Sequence, residues 1–158
     1  MEEIIIPDDG LIYKTSDGSP VMQISLVNDT TLFSLFSKYG NSRLMLLCHD
    51  TESGIHIGNA KKSIALIANE EKNEIRFINE YGKVTHLFYT TKDGGQIDLC
   101  DDEENPIISL GVSSGSIGSF FLRDSNGEPL VAIMHLRETG RIDINDSDGN
   151  LIWSTHDE

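Results

Sequence analysis

The chain is predicted to be all-β, built from about seven consecutive β-hairpins of roughly 22 residues with essentially no helix. Three observations predict this. A four-residue turn recurs at near-constant spacing. Apolar residues alternate with mostly polar ones on both sides of each turn. No window carries an apolar stripe of helical period bounded by helix caps.

Taken in order, the turn tetrads are Thr15–Gly18, Ser37–Gly40, Asn59–Lys62, Asn79–Gly82, Asp101–Glu104, Asp124–Gly127 and Asp146–Gly149. Their last residues are 22, 22, 20, 22, 23 and 22 positions apart, too regular for coincidence. Each tetrad opens with Thr, Ser, Asn or Asp, short side chains that accept a hydrogen bond from the backbone two residues on, as the first position of a type I turn prefers. Five of the seven end in Gly, which closes such a turn in the left-handed conformation and leaves a G1 bulge.

The flanks repeat as well. Seven and five positions before the last tetrad residue stand Leu11 and Tyr13, Phe33 and Leu35, Ile55 and Ile57, Ile75 and Phe77, Ile97 and Leu99, Phe120 and Leu122, Ile142 and Ile144. Between them lie Ile12, Ser34, His56, Arg76, Asp98, Phe121 and Asp143. After the turn the apolar slots are Met22 and Ile24, Leu44 and Leu46, Leu66 and Ala68, Phe88, Ile108 and Leu110, Val131 and Ile133, and Trp153, with His86 and Thr155 as exceptions. The alternation predicts a buried apolar face and a wet polar face.

Connectors at Asn28–Thr31, His49–Ser53, Asn69–Asn73, Thr91–Gly95, Gly111–Gly118 and Arg137–Gly140 join the hairpins. Gly10, Gly54, Gly95 and Gly140 lead into four of them, which suggests pairing into units of about 44 residues. A lone hairpin is marginal, so the hairpins are expected to share a core. A closed or nearly closed array of trefoil, prism or barrel type would also remove the sheet edges.

Phe120-Phe-Leu-Arg-Asp-Ser-Asn-Gly127 and Ile142-Asp-Ile-Asn-Asp-Ser-Asp-Gly149 carry a resemblance to the Leu-x-Leu-x-Asp-x-x-Gly hairpin repeats of many uncharacterised bacterial proteins. The resemblance covers most of the chain loosely. It implies an all-β repeat fold and no activity.

The 158 residues suit one domain, 1–158, with a core. Net charge is −14, from 12 basic and 26 acidic residues, which argues against nucleic acid or an anionic membrane as partner and fits solubility, a basic protein or calcium. The longest apolar run, Leu44 to Cys48, is far short of a membrane-spanning helix, and the acidic start does not resemble a signal peptide. A cytoplasmic location is expected. Cys48 and Cys100, 52 residues apart, signal neither a zinc site nor a disulfide framework.

The candidate sites are few, and no motif asks for a cofactor. Asp143, Asp146 and Asp148 before Gly149 look like a calcium loop, but an EF-hand register would put Ile144 and Thr155 where oxygen ligands are needed. Asp101, Asp102, Glu103 and Glu104 crowd four carboxylates into one turn, either an exposed tip or a contact for a basic partner or metal. His86 occupies a usually apolar slot, as a hydrogen-bonded core histidine or a site residue. Gly111–Gly118 lacks the spacing and Lys of a phosphate loop and reads as a flexible connector, the best place for a binding loop. Tyr39 and Tyr81 share the third tetrad position and are expected at exposed tips, where they could stack on a sugar. The leading reading is a non-enzymatic, structural or protein-binding domain. The alternatives are a carbohydrate-binding module on the two tyrosines and an enzyme whose loop-borne site includes His86.

Overall fold

The computed structural model describes residues 10–27, 29–59, 61–113, 117–136 and 139–155. They form fourteen strands: β1 (Leu11–Lys14), β2 (Pro20–Val27), β3 (Thr30–Phe36), β4 (Ser42–Cys48), β5 (Glu52–Gly58), β6 (Ser63–Asn69), β7 (Asn73–Ile78), β8 (Val84–Thr91), β9 (Gly94–Cys100), β10 (Pro106–Ser113), β11 (Ile117–Arg123), β12 (Pro129–Leu136), β13 (Thr139–Asn145) and β14 (Leu151–Ser154). The described residues contain no helix. All fourteen strands lie in one antiparallel sheet in sequence order, each paired with the strands before and after it. The chain is a meander of consecutive hairpins.

Six of the seven turns follow the expected chemistry. The last residue of each donates its backbone N–H to the first residue's carbonyl, at 3.0 Å from Gly18 to Thr15 and 3.1 Å from Gly127 to Asp124. That last residue has positive φ every time: 86° at Gly18, 77° at Gly40, 78° at Gly82, 71° at Glu104, 87° at Gly127 and 80° at Gly149. The ladder register shifts beside each of these turns, as a bulge requires. The opening side chain holds the turn: Asp124 Oδ1 accepts from the N–H groups of Asn126 (2.8 Å) and Glu128 (3.0 Å), and Asp146 repeats the pattern with Asp148 and Asn150. Asp in these tetrads is a turn residue.

The third turn differs. Asn59 N–H donates to the Lys62 carbonyl, and Gly58 pairs directly with Ser63 without a bulge. Pairing is therefore two residues tighter, and Ile64 and Leu66, not Leu66 and Ala68, face Ile57 and Ile55. This tightening accounts for the single 20-residue step. The described ends of the Gly111–Gly118 connector are strand, with Gly111 paired to Ser119, Val112 to Gly118 and Ser113 to Ile117, and residues 114–116 lie outside the described residues.

Two expectations are corrected. The sheet is not closed, and it has no trefoil or prism arrangement, because β1 and β14 each have a single neighbour. Closing fourteen strands would enclose a wide lumen that needs filling or water. The open edges are instead kept short, four residues each, one of the ways proteins blunt an edge.

The second correction concerns the faces. The predicted apolar slots all fall on one face, and their pairing builds two continuous rows. One runs Leu11, Ile24, Phe33, Leu46, Ile55, Leu66, Ile75, Phe88, Ile97, Leu110, Phe120, Ile133, Ile142. The other runs Tyr13, Met22, Leu35, Leu44, Ile57, Ile64, Phe77, His86, Leu99, Ile108, Leu122, Val131, Ile144, Trp153. Among the described residues each strand touches only its sequence neighbours, so no second layer covers these rows. Ile57 is 50% exposed, and Leu46, Ile55, Leu66, Ile75, Phe77 and Ile133 are exposed too. The opposite face, expected to be wet, is the better covered: Asp98 is 3% exposed, and Glu74, Ser109, Asp143 and Ser154 are buried. Ala65 and Ala132 are its buried apolar members. Alternation fixes which residues share a face; it does not say which face finds a cover.

Candidate functional site

The sheet presents two built surfaces. On the apolar face an open trough of about 940 Å³ crosses β4 to β10. Its walls are Leu46, Ile55, Leu66, Ile75, Phe88, Ile97 and Leu110 on one side and the smaller Cys48, Ser53, Ala68, Asn73, Thr90 and Gly95 on the other. At a strand spacing of about 4.8 Å, six spacings make it about 29 Å long. The step from large to small side chains makes the depression, and the intervening backbone forms its floor. The two apolar rows contain no Asp, Glu, Lys or Arg, and neither do the trough's smaller wall residues. With 26 acidic residues in the chain, an uncharged face of this size is distinctive. Phe77 packs at a tilt against Phe88 at 5.9 Å between ring centroids and meets His86 edge-on at 5.7 Å.

The opposite face carries a polar ladder. Glu74, its side chain 1% exposed, is held between Lys72 (2.9 Å), in the turn just before β7, and Arg76 on β7. Tyr89 stands opposite both Glu74 and Gln96, and Gln96 Nε2 donates to Asp98 Oδ1 at 2.9 Å. Arg123 Nη1 donates to Ser109 Oγ at 2.7 Å and lies over the Phe121 ring, while Arg141 Nε pairs with Asp143 Oδ1 at 2.7 Å. Burial, followed by the negative charge of Asp98, pushes the Tyr89 phenol up to about 12. Burial and the carboxylates of Asp98, Asp101 and Glu104 push the Cys100 thiol up, the wrong direction for a reactive thiolate. Ion pairs and hydrogen bonds link these groups, which lowers the cost of burying them, while the two Glu74 carboxylate oxygens meet their cations as ion pairs without a hydrogen bond. They form a packed polar layer; further along the same face Met45, Leu47, Glu52, His56, Ala65 and Ile67 line a smaller depression of about 280 Å³.

The sequence candidates are scattered. Tyr39 and Tyr81 do sit at exposed tips, 74% and 81% exposed. They lie on hairpins four strands apart, about 19 Å along the sheet, too far to share one sugar ring. Tyr39 is accompanied by Lys38, whose Nζ is 4.8 Å from the ring centroid. His86 is exposed on the apolar face, not in a core, with Nδ1 3.0 Å from Thr85 Oγ1. Of the four turn carboxylates, two serve the fold. Asp101 Oδ1 accepts from the N–H groups of Glu103 and Asn105, and the Asn105 contact contributes most to holding its carboxyl below the ordinary carboxylate value. Glu104 reaches across to the neighbouring hairpin, accepting from Val84 N–H at 2.7 Å, with Lys83 Nζ 3.8 Å away. Asp102 and Glu103 are left exposed. Among the described residues no three His, Cys, Asp or Glu side chains converge as a metal site. Cys48 and Cys100 are both free.

Sequence reasoning missed both surfaces. The ladder had a signal: Lys72-x-Glu74-x-Arg76, Gln96-x-Asp98 and Arg141-x-Asp143 place partners two residues apart, on one face of an extended chain. The trough had no comparable local signal, because alternation alone does not say whether an apolar row is covered. Comparison of the sequence with protein-family models and with curated proteins finds no match to either.

Proposed function

We propose that the protein is a non-enzymatic, acidic β-repeat domain whose role is to bind protein, or to serve as a structural element, through the apolar face of its sheet. The observation that carries this reading is the pair of uncharged apolar rows running the whole width of the sheet without a covering layer. Exposed apolar surface beyond a few hundred Å² marks interaction sites in proteins that stay in solution. Concentrating the acids on the other face and on the turns keeps such a chain soluble while one face remains available. The separated tyrosines Tyr39 and Tyr81 support a sugar-binding module less well.

The test uses a photo-crosslinking amino acid placed at Ile55, on the apolar face, or at its neighbour His56, on the polar face, in the producing cell. Protein adducts are expected from position 55 and not from 56. Equal adducts, or none from 55, would remove the support for this reading.

A further inference from the structure

We propose that the apolar face is the interface of a homodimer, two copies packing sheet on sheet about this face. The inference rests on the reading of that face as protein-binding and names its partner. The first support is area. The chain exposes 11142 Å², whereas a compact chain of 17.5 kDa exposes about 7,900 Å². The excess is about 3,000 Å² per copy; covering half of it on each gives about 3,000 Å² in total, within the range of obligate homodimers.

The second support is complementarity. Sheets pack face to face about 10 Å apart when both inner faces are apolar and their side chains interdigitate. A partner must therefore bring an uncharged apolar surface as wide as fourteen strands, with side chains that reach into the trough across β4 to β10. A second copy has that surface, and a twofold axis brings each row against its counterpart in a self-complementary contact. The third support is charge. The net charge of −14 would oppose dimerisation if the acids met, but the two rows carry none, so dimerisation leaves the carboxylates on the outer faces and turns. His86 stands in the second row between Phe77 and Leu99.

Sedimentation velocity of the untagged full chain, across nanomolar to micromolar concentration, tests this together with fluorescence of the apolar dye 1-anilinonaphthalene-8-sulfonate. The expected result is a species of twice the 17.5 kDa chain mass that binds little dye. Leu66→Asp should convert it to a dye-binding monomer, and Ile75→Ala, which removes apolar area without adding charge, should weaken dimerisation at least tenfold. His56→Asp, on the opposite face, should leave the dimer intact. Should Leu66→Asp fail to fold, Ile75→Ala still decides the matter. A monomer at every concentration that binds dye strongly would overturn the second copy and leave the protein-binding reading standing. A monomer that binds no dye would overturn both. A dimer broken by His56→Asp but not by Ile75→Ala would overturn the choice of face.

Discussion

Ile75 and Arg76 are neighbours in sequence and opposites in environment. Ile75 stands in an uncovered apolar row, while Arg76 holds a carboxylate that is almost wholly buried. The same contrast runs from β7 to β13: the face with the apolar side chains is open, and on the other face Glu74, Asp98, Ser109 and Asp143 are buried among ion pairs and hydrogen bonds. A single-layer sheet separates two jobs that a globular core combines. Cohesion within the chain comes from the backbone ladder and the polar layer, and apolar burial is deferred to whatever meets the other face.

Substitutions at this pair give the largest expected difference. Arg76→Leu leaves Glu74 buried with Lys72 as its remaining cation, and should lower stability by about 3 kcal/mol in denaturant unfolding, as breaking a buried pair does. Ile75→Ala should cost about 1.5 kcal/mol in dilute protein, below the range for a fully enclosed core residue, because Ile75 is already partly in water. Raising the protein concentration should increase the Ile75→Ala cost and leave that of Arg76→Leu unchanged. Equal, concentration-independent costs would erase the distinction between the faces.

Smaller effects come from titration. Tyr89 is neutral in the fold up to about 12 but ionises near 10.0 when unfolded. Between those values the folded state holds a proton that the unfolded state has lost, so stability is present below pH 10 and declines as pH rises. Tyr89→Phe should flatten that alkaline decline in a pH series of thermal melts. Asp146 supplies the control, since it belongs to a turn and to neither face. Its bonds to Asn150 hold its carboxyl below the ordinary 3.8, so its contribution is present above that value and fades as pH falls below it. Asp146→Asn should remove only this slight acid dependence.

What could be read from the sequence follows physical range. Turn chemistry is local, so the tetrads beginning at Thr15, Ser37, Asn79, Asp101, Asp124 and Asp146 were legible to the residue, with Glu104 taking the left-handed φ in place of Gly. The all-β class followed from the same repeat, as did the membership of each face. Closure was not legible, because neither β1 nor β14 encodes a partner for its free edge. The exposure of the apolar rows was hidden for a related reason: alternation normally implies a covering layer, and none of the described residues supplies one. The burial of Asp98 was not legible, because Gln96 becomes its partner only once strand geometry puts both on one side.

Thiol labelling at adjacent positions tests the face assignment most directly. Ile64→Cys and Ala65→Cys are made singly in a chain with Cys48 and Cys100 replaced by Ser, and labelling rates are followed on dilution. Position 65, 8% exposed on the polar face, should react slowly at every concentration. Position 64 should be protected in concentrated protein and become fast on dilution, as the copies separate and the apolar face meets water. Fast labelling at 65 with 64 slow at every dilution would contradict the account.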